Sequence, residues 1–155
     1  MAGSDKGLED LTKQYVAELG LSDSVAFPGF LDAEGKAREF LDADIYLNTN
    51  IVDNSPVAVI EAWSYGLPVV TTNVGGIPFM VSHGINGLLA RHGDVEGMAA
   101  NIETILESPE LAGSLSRNGR ESARKSTWKS VRPLWERDFD EMSSEPAASR
   151  INHPA

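Results

Sequence analysis

Cysteine is absent from this chain. That excludes a disulfide framework, a thiol nucleophile and any cysteine-held zinc or iron–sulfur centre. Positive charge is scarce: 13 Lys and Arg stand against 23 Asp and Glu, a formal net charge of −10. So acidic a surface repels polyphosphate, which argues against a general binder of nucleic acid or anionic membrane. It still permits one small anion held by local backbone dipoles. No apolar run approaches the ~20 residues of a membrane span. The opening stretch MAGSDKGLED lacks a basic region followed by an apolar one, so no signal peptide is expected. Together these absences point to a reducing compartment, and a cytoplasmic location is expected. The chain has 155 residues, of which 41% are apolar and 23% charged. That is ordinary globular composition, sufficient for one domain or part of one.

Helical and strand patterns alternate along the chain. In LEDLTKQYVAEL, Leu8, Leu11, Tyr15 and Leu19 share one helical face, and Gly20 ends it. VAFPGF reads as a short strand. Asp32 is placed to cap a helix carrying Ala33, Ala37, Phe40 and Leu41. IYLNTN is a buried-strand pattern, followed by a polar turn and then the apolar helix PVAVIEAWSY, closed by Gly66. LPVVTTNV reads as the next strand, Gly75-Gly76 as a turn, and GLLA as another strand. Asp94 caps a helix with Met98, Ala99, Ile102, Ile105 and Leu106 as its apolar stripe, and Ser108-Pro109 opens a further one. Such alternation predicts an α/β fold built on a doubly wound parallel sheet, with strands buried on both faces. Residues 143–155 are small, polar and aperiodic, and a disordered tail is expected there.

The stretch Asp53-Asn54-Ser55-Pro56-Val57-Ala58-Val59-Ile60-Glu61 lies between an apolar strand and an apolar helix. That is the carboxyl end of a strand, where open α/β sheets bind ligands. Reading Ser55 as N-cap and Pro56 as the first helical residue leaves the amides of Val57, Ala58 and Val59 without intrahelical partners. With the helix dipole they form a local anion site, suited to a diphosphate. Glu61 sits among Val57, Ala58, Val59, Ile60, Ala62 and Trp63. A carboxylate there needs water or donors, and a sugar diol offers two. Spacing alone leaves a plainer reading open, in which Asp53 and Ser55 cap the helix and Glu61 is solvated.

The run DNSPVAVIEAWSYGLPVVTTNVGGIPFMVSHGINGLL resembles the nucleotide-sugar signature of retaining GT-B glycosyltransferases, the family called glycosyl transferases group 1. The pattern is an acidic residue, seven residues, a Glu, then A-x-x-x-G-x-P-V-V-x-T-x-x-G-G-x-P, then G-x-N-G-L-L. Upstream, LGLSDSVAFPGFL and LDADIYLNTN resemble the family's preceding strands, and downstream STWKSVRPLWERDF resembles its closing helix. The resemblance covers residues 1–142 and implies a Rossmann-like C-terminal donor-binding domain. It implies transfer, with retention, from an NDP-sugar, UDP- or GDP-linked, to a saccharide or lipid-linked acceptor, as in polysaccharide biosynthesis. Glu61 would hold ribose hydroxyls and Asp53 the transferred sugar, the two counted as catalytic. Asn54, Ser55, Gly75, Gly76 and the amides of Val57 and Ala58 would line the nucleotide site. The commoner family form has Glu-Gly-Phe-Gly where this chain has Asp-Asn-Ser-Pro, a difference expected to alter sugar specificity. The donor is a substrate, so no cofactor is expected.

The resemblance also implies absences. Family members begin this domain with strands bearing a Gly-Arg element and a Lys that clamp the diphosphate, and neither is present. Met1-Ala2-Gly3-Ser4 looks like the end of the second strand, so the chain reads as lacking its first strands. In the order 3-2-1-4-5-6 those strands are central. Their absence would leave VAFPG without a neighbour and IYLN with a bare edge open to self-association. Each lost charge-stabilising donor typically costs ~10²–10³ in rate, so this chain alone is expected to be inactive. Lys6 is the nearest basic candidate, in a different loop. The acceptor would be held by an N-terminal domain not seen in the sequence. Two alternatives remain: a non-catalytic half-domain that binds a partner chain, and a GT-B-fold sugar-nucleotide epimerase. His83 and His92 read as surface residues, and no His pair has metal-ligand spacing, so no metal site is expected. Trp128 and Trp135, seven apart, read as packing anchors, and Glu103, Glu107 and Glu110 as a solvated face.

Overall fold

A computed structural model describes residues 1–3 and 7–144. The expectations for Lys6 and for residues 145–155 lie outside the described residues. The chain divides into two compact units, Met1–Asp42 and Ala43 onward.

In the first unit α1 spans Glu9–Glu18 and α2 spans Ala33–Asp42. The apolar face expected on α1 is present in register but buries nothing: Leu8, Leu11, Tyr15 and Leu19 are all more than half exposed. VAFPGF does not form a strand. It contributes a single parallel bridge, Ala2 to Gly29, with the Gly3 amide donating to the Gly29 carbonyl at 2.9 Å. Pro28 has no amide to continue a ladder, and Gly29 turns the chain at φ +70°. Asp32 caps as expected, its Oδ1 accepting the Gly35 amide at 2.7 Å.

The second unit begins with β1, Tyr46–Asn48, then α3, Val57–Tyr65, β2, Val69–Thr72, α4, Ile77–Met80, and β3, Leu88–Ala90. The three strands form a parallel sheet in the order β1-β2-β3, with Asn48 opposite Thr71 and Thr72 opposite Ala90. β2 is central and every residue of it is buried, which is why it reads as an unbroken apolar and β-branched run. α5, Val95–Glu107, packs on β2 and β3, and α6, Pro109–Lys125, packs against α3 and α5. The core joins Val70, Leu88, Ala90, Met98, Ile105 and Leu115. On α5 the buried stripe is narrower than expected. Met98 and Ile105 are buried and Ile102 packs beside them, while Ala99 and Leu106 face solvent.

Both predicted caps are formed: the Gly97 amide donates to Asp94 Oδ1 at 2.8 Å, and the Leu111 amide to Ser108 Oγ at 3.3 Å. Gly66 closes α3 at φ +84°. α7, Trp128–Ser144, extends two residues into the segment expected to be aperiodic. Trp128 and Trp135 are not packing anchors, since they are 70% and 55% exposed. Glu103, Glu107 and Glu110 are exposed, as expected. Among the described residues no helix is long and apolar enough to cross a membrane.

Candidate functional site

The loop from Thr49 to Pro56 leaves the carboxyl end of β1 and enters α3, and it is tied to the neighbouring strand. Asn48 Nδ2 donates to Thr71 Oγ1 at 3.0 Å within the sheet. Thr72 Oγ1 donates to the Asn50 carbonyl at 2.6 Å. Asn50 Nδ2 in turn donates to Asp53 Oδ2 at 2.6 Å, and the Ser55 amide donates to Asp53 Oδ1 at 3.1 Å. The Asp53 carboxylate is thereby fixed on both oxygens. Each oxygen keeps further acceptor capacity, because an ionised carboxyl offers about four lone-pair positions.

The cap differs from the sequence expectation. Ser55 is not the N-cap. Its amide is taken by Asp53, which holds it outside the helix, and Pro56 is the cap residue with an extended backbone (φ −66°, ψ 106°). The helix starts at Val57. The Val59 amide is not free either, since it donates to the Pro56 carbonyl at 3.0 Å in a tight first turn. Among the described residues, the Val57 and Ala58 amides are the two left at the positive end of α3.

Gly75 and Gly76 form the turn expected of them, and it is a close approach of backbone to backbone. They press against the acidic loop. A Cβ on Gly75 would stand 2.2 Å from the Asp53 carbonyl oxygen, and one on Gly76 would stand 1.9 Å from that of Asn54. The Gly76 amide donates to the Asp53 carbonyl at 2.9 Å, and Gly75 adopts φ +53°. The glycine pair therefore seats the loop that carries Asp53.

Glu61 lies one turn into α3 and is half-buried, as is Asp53. Both bear on Tyr46, at the start of β1. Its phenol is raised above 10.0, first by burial, then by the charge of Glu61, then by that of Asp53. The charges of both carboxylates thus reach Tyr46, while the two helix-end amides stand at the start of the helix that carries Glu61. Asn54 and Ser55 are exposed at the loop tip. Sequence reasoning found Asp53, Glu61, Val57, Ala58 and the glycines, and missed Tyr46 and Asn50. The polar Asn48-Thr49-Asn50 run closing an apolar strand was the available signal for Asn50. Nothing in the pattern singled out Tyr46. His83 is not in this group. Its Nδ1 accepts the Leu89 amide at 2.9 Å, pinning the turn before β3.

Comparison with known proteins gives consistent findings. The family model described as "Glycosyl transferases group 1" matches residues 1–122. The amylovoran biosynthesis glycosyltransferase AmsK of Erwinia amylovora is 36% identical over 99 residues, covering 60% of this chain and 24% of AmsK. The structure of a sucrose-phosphate synthase from Thermosynechococcus elongatus superposes with a TM-score of 0.79 at 28% identity, over 92% of this chain and 37% of the synthase. HepE from Anabaena, solved in complex with UDP-glucose, gives 0.78 at 26% identity, over 93% of this chain and 40% of HepE. The chain thus spans about a quarter of the length of AmsK and well under half of either structure.

Proposed function

Because the chain belongs to the glycosyl transferases group 1 family, with the α/β fold of GT-B glycosyltransferases, we propose that it is the donor-binding part of a retaining glycosyltransferase that uses a nucleoside-diphosphate sugar. The observation that carries this reading is the acidic loop at the open end of α3, where Asp53 is fixed on both oxygens by Asn50 and the Ser55 amide just ahead of the Val57 and Ala58 amides, with Glu61 one turn along the same helix. The Val57 and Ala58 amides would receive the diphosphate, where a helix dipole favours negative charge. Glu61 would accept from the two ribose hydroxyls. Asp53, held by Asn50 and Ser55, would accept from hydroxyls of the transferred sugar. Its anchoring means that the sugar meets a carboxylate already oriented. HepE supports a uridine diphosphate donor by analogy, since its structure holds UDP-glucose.

The acceptor, in this reading, is held by polypeptide beyond these residues, since the relatives are about two and a half times as long. The chain alone would then bind donor without turning it over. The donor pool and the lack of cysteine favour the cytoplasm.

Thermal unfolding with UDP, GDP and their sugars tests the site. At a ligand concentration about 100 times Kd, stabilisation of about 2.7 kcal/mol is expected. Glu61→Ala is expected to weaken binding by about 10- to 100-fold, the value of hydrogen bonds to a charged acceptor. A full shift retained by Glu61→Ala would refute the assignment of Glu61.

A further inference from the structure

The cations of α6 stand on one stripe. Arg117, Arg120 and Arg124 recur at intervals of three and four, away from the face that buries Leu115, Gly119 and Ala123. Lys13, Arg38, Arg132 and Arg137 each pair with an acid. Arg117, Arg120, Lys125 and Lys129 make no ion pair among the described residues, and Arg124 has only the exposed Glu121, at 3.4 Å. A chain with 23 acids has no shortage of partners for them. Their separation from acid leaves a positive field at this one place.

That place holds a cavity of about 170 Å³. It is lined by Ser64 of α3, by Arg120, Ala123 and Arg124 of α6, and by Thr127 just ahead of α7. Arg120 donates from one terminal nitrogen to the Tyr65 carbonyl at 3.1 Å. That bond fixes the guanidinium at the cavity and uses one of its five N–H groups. Arg124 stands one turn along the same face. Thr127 Oγ1 and Ser130 Oγ donate to the Arg124 carbonyl at 2.9 and 2.8 Å, and Ser64 Oγ donates to the Glu61 carbonyl at 2.6 Å. The hydroxyl protons thus cover carbonyls whose partial negative charge would oppose an anion. The guanidinium forks remain as donors.

We propose that this cavity binds a phosphate group, gripped between Arg120 and Arg124. Each guanidinium offers parallel N–H groups to a pair of oxygens. Two of them one helical turn apart can take a tetrahedral group from two sides, whereas the two oxygens of a planar carboxylate satisfy one fork. The site is separate from the donor site. The Val57 and Ala58 amides open α3, and Ser64 lies near its other end, roughly 10 Å along the axis. A soluble phosphate ester and a phospholipid headgroup present the same chemistry, and the experiment separates them.

Titration of the ¹⁵N-labelled chain with inorganic phosphate at low ionic strength should move the Arg124 and Thr127 amide signals saturably. Arg124→Gln should raise the dissociation constant about tenfold, the loss of one charge-assisted contact, and leave the melting temperature unchanged. Arg132→Gln removes a cation of the same surface that already pairs with Glu136, and should leave phosphate binding as it was. Saturating UDP should not displace phosphate from Arg124 and Thr127. A chain that binds phosphate there but shows no UDP binding would count against the donor reading alone. Glucose 1-phosphate moving the same two signals, with no retention on vesicles, identifies a soluble ester. Co-sedimentation with phosphatidic acid vesicles, lost in Arg124→Gln and absent on pure phosphatidylcholine, identifies a lipid headgroup. Unmoved Arg124 and Thr127 signals overturn the proposal. So does equal weakening by Arg132→Gln, which would mean diffuse charge and no site, and so does competition by UDP.

Discussion

Tyr46 is held protonated beyond its ordinary range by burial first, and then by Glu61 and Asp53. The unfolded phenol titrates near 10.0. Between that pH and the raised folded value, the native chain keeps a proton that the unfolded chain has released. The stability this group contributes is thus intact below pH 10 and is lost as pH rises through the folded value. Tyr46→Phe is therefore expected to flatten the alkaline decline in melting temperature. Ultraviolet titration should assign the Tyr46 phenolate a midpoint above 10, and Glu61→Gln should bring that midpoint down by removing the second-ranked cause. An unmoved midpoint would mean that Glu61 does not face Tyr46. Asp53 is a different case. Its position depends on donors the chain supplies, Asn50 Nδ2 and the Ser55 amide. In the proposed donor-binding reading, Asn50→Ala should therefore weaken discrimination between UDP-sugars, measured by calorimetric titration, by releasing Asp53.

At the scale of elements, the site is a loop clamped between a strand and a turn. β2 supplies Thr71 and Thr72 to the asparagines that end and follow β1. The turn after β2 presses its two glycines onto the loop from the other side. A methyl on Gly76 would overlap the Asn54 carbonyl oxygen at 1.9 Å, and backbone cannot rotate away as a side chain can. Gly76→Ala is expected to destabilise by about 3 kcal/mol, at the upper end for overpacking, and to lower donor affinity by moving Asp53. Urea unfolding checks the first effect and calorimetric titration with UDP the second. Normal stability in that variant would show that the contact gives way easily. α3 is held from behind in a similar manner. Trp63 is buried, donates from Nε1 to the Asn86 carbonyl at 2.8 Å, and lies where a Cβ on Gly119 of α6 would come within 2.5 Å of its ring. The helix whose open end faces the site is thus anchored along its length.

Across the whole molecule, burial is uneven. The contiguous core belongs to the second unit, around β2, α5 and α6, whereas α1 in the first unit buries no residue. Local opening free energy follows buried apolar contact. Amide hydrogen exchange is therefore expected to be slowest in Val69–Thr72 and fastest among the helices in α1. Comparable protection in the two would contradict this gradient. Charge is uneven as well. Six of the 13 Lys and Arg residues lie between Arg117 and Arg132, with Glu121 the single acid among them. The acidity that repels polyphosphate is therefore a property of the rest of the surface.

Local periodicity and turn chemistry were enough to give the α/β alternation, the parallel strands after residue 43 and the caps at Asp32, Asp94 and Ser108. Those features depend on neighbours within a few residues of each other, where spacing and side-chain type act directly. Other features turned on which of several competing local contacts formed, or on a partner further along the chain. Asp53 withdrew Ser55 from the cap, Pro28 and Gly29 left VAFPGF with one bridge, and the glycine pair proved to seat the acidic loop. The two tryptophans of α7 have a spacing that fits a core, yet they lie open to solvent. Periodicity fixes which face of a helix is apolar, but only the packing of the chain decides whether anything covers it.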